Sequence, residues 1–174
     1  MNKGGQFYLV AGIIIAIVLI SIFITINSSK KYRDHELKNL EEELKTEIEK
    51  TFEYNIKNGL TDEQSRTIWI NFSGAYVSKI GTNKNTLFIF GDEDELILKG
   101  YRMNNSGDFK IDFGSGFQNI ISSAGNFQEQ FNNTATNITI ADDEDEQEFK
   151  LEEGQNFYYL ISKEISGEKK VIKG

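Results

Sequence analysis

A chain of 174 residues with a formal net charge of −8 has room for one modest domain beside an apolar segment, and it offers no basic face to a nucleic-acid backbone. It contains no cysteine, which excludes disulfides and thiolate metal sites, and no proline, so no ring clash interrupts a long helix. The single histidine, His35, leaves no triad and few transition-metal options. No catalytic, cofactor-binding or metal-ligating residue is assigned.

The stretch from Phe7 to Ile26 reads FYLVAGIIIAIVLISIFITI and carries no charge. As a helix it would rise about 30 Å, matching the hydrocarbon core of a bilayer. This predicts a transmembrane helix over 6–28, with membrane lipid as its partner. The sequence then runs into TINSSKKYRD with no A-x-A pattern, so the helix is expected to be retained in the mature protein. Lys3 precedes the span, while Lys30, Lys31 and Arg33 follow it. A positive-inside count alone therefore places the remainder in the cytoplasm, against the orientation argued below from the first residues.

Over 29–59, Leu37, Leu40, Leu44, Ile48, Phe52 and Ile56 recur at steps of three and four, one apolar stripe on a helix. Glu41 and Lys45 form an i, i+4 pair in the favourable order, and Gly59 supplies the stop. Span and stalk together would make a rod of roughly 80 Å. Thr61 and Gln64 fit a capping box, and Ile68, Phe72, Tyr76 and Ile80 follow at four-residue steps. A second amphipathic helix is predicted from Asp62 to Ile80, a short strand at TIWINF being the competing reading.

Beyond Gly81 the period changes to two. Strands are predicted at TLFIF, ELILKGYR, FKIDF, NITIA, EFKLEE, NFYYLISKEI and KKVIK. The glycine-, asparagine- and glutamine-rich stretch 114–133 reads as irregular, with a short helix near Phe117 to Ser123. The expected fold class is α+β: a long N-terminal transmembrane and stalk helix packed on the apolar face of an antiparallel sheet in a head over 60–174.

Several patterns invite a chemical reading. The acidic runs Asp92 to Glu95 and Asp142 to Glu146 present oxygen ligands suited to calcium, but neither matches an EF-hand loop, Gln147 standing where glycine is required. They read as solvated turns. GSGFQN at 114–119 begins like a dinucleotide loop without its third glycine. Of the N-x-S/T sequons, Asn27 abuts the apolar span and Asn71 lies within the second helix; Asn104, Asn132 and Asn137 fall at turns or a strand start, where N-glycosylation is tolerated.

The first residues, KGGQFYLV, place a short basic tail and two glycines before a glutamine and an uninterrupted apolar helix. This resembles the class III signal of archaeal type IV pilins and archaellins. The resemblance implies cleavage by a prepilin peptidase between Gly5 and Gln6, leaving residues 1–5 as leader, and a head displayed outside the cell. Gly4 and Gly5, each costing about 1 kcal/mol in a helix, are expected to keep the leader extended. The mature start QFYLVAG lacks the glutamate found in many bacterial pilins. The resulting expectation is a pilin-like, non-enzymatic single-pass surface protein with a structural or adhesive role. It would be held in the membrane or in a filament core, with copies of itself or similar subunits as partners. The alternative is a membrane-anchored binding or sensory module that never polymerises.

Overall fold

The computed structural model describes residues 3–92, 94–103, 109–120, 124–132, 135–142, 145–165 and 168–174; the side chains of 3–13, 23–34 and 165 lie outside that description. Helix α1 covers Lys3–Lys57 and α2 covers Asp62–Ile80. Nine strands follow: β1 Asn85–Gly91, β2 Glu95–Arg102, β3 Phe109–Asp112, β4 Gln118–Asn119, β5 Gly125–Asn132, β6 Asn137–Asp142, β7 Asp145–Lys150, β8 Asn156–Ile165 and β9 Glu168–Lys173. The chain divides into two compact units, Met1–Leu40 and Glu41–Gly174.

The start of α2 is written in the sequence. Thr61 Oγ1 accepts the Gln64 N–H at 3.3 Å, and the Gln64 side chain accepts the Thr61 N–H at 3.0 Å. Two orphan donors of the first turn are thereby satisfied. Gly81 closes the helix with φ +80°, a conformation open to glycine at little steric cost.

In the second unit the strands make two antiparallel sheets, one ordered β5-β2-β1-β8-β9 and the other β4-β3-β6-β7. In the larger sheet, side chains alternate between two covered faces. Leu87, Ile89, Leu96, Leu98 and Leu160 meet Phe109, Ile111, Ile138 and Ile140 of the smaller sheet in a mostly aliphatic core that also holds Phe149. On the opposite face, Phe90 and Phe157 stack at 5.8 Å, and Phe157 lies 4.3 Å from the Trp69 ring of α2. Phe52, in the part of α1 that belongs to this unit, closes on Trp69 at 4.8 Å. The layers run helices, five-stranded sheet, four-stranded sheet.

This overturns the expected fold class of a stalk helix covering the apolar face of one sheet. From Leu87 to Phe90 every residue is apolar because β1 is central and buried on both faces. The helices cover one face, and a second sheet, which no local period announces, covers the other. Residues 41–57 belong to the second unit and pack against α2. Leu44 is fully buried, and Glu43 Oε1 accepts the Tyr76 hydroxyl at 3.0 Å together with the Lys79 ammonium. The predicted stripe is interrupted at its end, where Ile56 is 79% exposed and Asn55 is buried.

The membrane span expected at 6–28 is also corrected. Among the described residues no helix is long and apolar enough to cross a membrane. The single-pass placement with a head outside the cell, and the pilin-like architecture built on it, therefore lose their anchor. Lys3, Gly4 and Gly5 lie in α1 rather than in an extended leader; once a helix is nucleated, adding a residue costs far less than starting anew, which outweighs two glycine penalties.

Two further differences concern 114–133. No helix occupies 117–120: Gln118 and Asn119 form β4 against β3, while 121–123 lie outside the described residues. The strand β5, paired with β2 along its length, stands where an irregular segment was expected. Gly100 makes that pairing possible. A Cβ there would stand 1.9 Å from the Thr86 carbonyl oxygen and 2.9 Å from the Phe127 ring of β5.

Candidate functional site

The sequence-predicted site residues are not brought together. The backbone of Gly5 and Gln6 lies in α1, with their side chains outside the described residues. Asn104 also falls outside them. Asn132 ends β5 and is exposed. Asn137 opens β6, is exposed, and its amide donates to Glu148 Oε1 at 3.0 Å. His35 is exposed on α1.

The two acidic runs have different fates. In the first, Asp92 Oδ1 accepts the backbone N–H groups of Asp94 at 3.1 Å and Glu95 at 2.8 Å, closing the β1–β2 turn. Arg66 of α2 pairs with Glu95 and lies 3.8 Å from Asp92. These carboxylates hold helix to sheet. In the second run Asp142 turns inward, only 1% exposed, where its Oδ2 accepts from Ser162 at 2.5 Å and from Lys169 at 3.1 Å. The run reads as solvated in sequence, yet its first residue ties the two sheets together. Residues 143 and 144 lie outside the described residues.

The GSGFQN segment is an exposed turn in which Asp112 Oδ1 accepts the N–H groups of Gly114 at 2.7 Å and Gly116 at 2.8 Å. It leads into a short strand, not a helix, so the backbone donors that a dinucleotide loop aims at phosphate are already bound to a carboxylate. Beside the start of α2, Asp62, Arg66, Trp69 and Gln155 line a shallow open notch. Its charges are matched within the molecule: Gln155 donates to Asp62 at 3.3 Å, and Arg66 holds Glu95. Among the described residues, no group of three or more His, Asp or Glu is placed to hold a metal ion.

The perturbed ionisable groups are structural. Lys79, through its hydrogen bond, and then Tyr76 hold the Glu43 carboxyl below the usual carboxylate range. Burial pushes the Tyr159 phenol up to about 12, with the nearby Glu41 charge acting in the same direction. Burial likewise raises the Glu129 carboxyl. None of these groups lines a cleft with a second group of matched role.

What stands out instead is surface. Ile14, Ile15, Ile17, Val18, Leu19, Ile20 and Ile22 are each between 51% and 61% exposed. A run of large aliphatic side chains, open on every side of its helix, has no counterpart elsewhere among the described residues. The apolar run was visible in sequence; its nakedness is a structural observation. Comparison of the chain with protein-family models, curated proteins and solved structures finds no match in any of the three.

Proposed function

We propose that this protein is a non-enzymatic structural subunit that associates with copies of itself through the N-terminal apolar part of α1, the α/β unit being carried along the assembly. The observation that supports this is the uncovered aliphatic stretch Ile14–Ile22. Contiguous apolar surface of that kind marks an interaction site, because leaving it in water forgoes about 25 cal/mol per Å². Proteolytic removal of residues 1–5 between Gly5 and Gln6 by a prepilin-type peptidase is the processing step that fits this role, and it remains suggested by the order KGGQ before the apolar run.

The test joins intact mass of the natively produced protein to its sedimentation behaviour. The expected result is a mature start at Gln6 and large, concentration-dependent particles that vanish when Ile15 and Leu19 are both changed to Asp. A monodisperse monomer that retains residues 1–5 would overturn the reading and leave a lone binding domain in its place.

A further inference from the structure

Among the described residues the five-stranded sheet ends in two unpaired edge strands, and they are chemically unlike. Its phase can be read from two hydrogen-bonded positions. Tyr159 and Gly174 exchange both backbone bonds, at 2.8 and 3.3 Å, so along β9 the hydrogen-bonded partners of β8 are Ile172, Lys170 and Glu168. The backbone N–H and C=O groups of Lys169, Val171 and Lys173 therefore point away from the sheet. At the other end, the Asp92 N–H bonds to the Glu95 carbonyl at 3.1 Å. Ile97, Lys99 and Tyr101 then bond to β1, and Leu96, Leu98, Gly100 and Arg102 to β5. On β5 this directs the backbone groups of Asn126, Gln128, Gln130 and Asn132 outward.

Natural edge strands are commonly blunted by lysine, proline, a bulge or brevity. The strand β5, GNFQEQFN, pairs along all of Gly125–Asn132 and has neither lysine nor proline; its one charge is Glu129. The strand β9, EKKVIK, carries Lys169, Lys170 and Lys173 against Glu168. Pairing β9 with β9 would set lysines against lysines, and pairing β5 with β5 would offer no opposite charge. With Lys169 held by Asp142, β5 against β9 offers Glu129 and Lys173, which lie on the same side of the sheet, as an unlike-charge pair. Every neighbour in the sheet is antiparallel, so β5 and β9 run in the same direction. A copy related by translation can thus add β9 to β5 of the next as a parallel pair. It leaves its own β5 free, and this heterologous contact does not close.

We propose that the β5 edge of one copy receives the β9 edge of a second copy, continuing the five-stranded sheet from subunit to subunit. This rests on the self-assembling reading but uses a surface separate from α1. The absence of native cysteine makes it directly testable in the full chain. Gln128 and Lys170 pair with Lys99 and Lys163, and so lie on the same, helix-covered side of the sheet. Single variants Gln128→Cys and Lys170→Cys, mixed and oxidised, are expected to give a Q128C–K170C heterodimer in preference to either homodimer. A Q128C homodimer as the main product would overturn the proposal in favour of symmetric β5 pairing. Particles that assemble without any 128–170 product would overturn it while leaving the α1 reading standing. Adding Asn126→Pro to Q128C removes one outward N–H and leaves the β2 ladder intact. The heterodimer yield should then fall about tenfold with the melting temperature unchanged; an unchanged yield would count against the edge.

Discussion

The two faces of the five-stranded sheet are built from alternate residues of the same strands yet differ in kind. Toward the helices, Phe157 meets Trp69 and Phe72 and is flanked in the sheet by Phe88 and Phe90, with centroids 4.3 to 5.8 Å apart. Toward the second sheet, Leu87, Ile89, Leu98 and Leu160 meet Ile111, Ile138 and Ile140. Two sheets pack about 10 Å apart, a gap filled here mainly by interdigitating aliphatic chains, with Phe109 and Phe149 among them. A helix crossing a sheet leaves deeper and less regular hollows, and flat rings tilt to fill them with favourable edge contacts. Leu87-Phe88-Ile89-Phe90 therefore encodes two interfaces at once.

Substitutions on either side should separate the two. Trp69→Ala removes the ring shared by Phe52, Phe72 and Phe157, and is expected to cost about 4 kcal/mol in chemical denaturation, with loss of the near-ultraviolet dichroism of the aromatic cluster. Leu98→Ala, on the other face, should cost about 3 kcal/mol and leave that aromatic signal in place; its loss would show that the two faces are one cooperative packing unit. Tyr159 gives the smallest and most specific effect. Its hydroxyl is buried and finds no hydrogen-bond partner among the described residues. Its phenol titrates near 12 when folded, against about 10 unfolded. The protonated form is therefore favoured by folding, and its contribution is complete below pH 10 and lost as the pH rises through 12. Tyr159→Phe should flatten that alkaline decline in melts between pH 9 and 12, with stability at pH 7 unchanged or slightly raised. An undiminished decline would place its origin in another group.

The legible parts of this chain are those fixed by near neighbours. The capping box at Thr61 and Gln64, the helix from Asp62 to Ile80 and the strands β1 to β3, β6, β8 and β9 follow from spacing and turn chemistry, whereas β7 begins three residues before the predicted EFKLEE. The strand β5 was hidden because GNFQEQFN has low strand propensity and shows only Phe127 and Phe131 as an apolar period. What makes it a strand is its pairing with β2 along its whole length, where Gly100 leaves room for the Thr86 carbonyl of β1 and for the Phe127 ring. Asp142 was hidden for a related reason: within DDEDE nothing distinguishes it, and only the approach of Ser162 and Lys169 from the other sheet does. In the N-terminal region, sequence displayed the apolar run, but not whether anything in the folded chain covers it.

By itself the sequence determined where helices cap and strands alternate, that no thiol chemistry is available, and that one end of the chain is strongly apolar. Only the tertiary structure decided that the strands part into two sheets, that Asp142 points inward, and that Ile14 to Ile22 remain bare. The division has a physical cause. Local periodicity records that a face must be buried, since its apolar side chains repeat with the backbone. It does not record against what, because the covering surface comes from residues distant in the chain and is chosen by shape and by the pairing of the last polar groups.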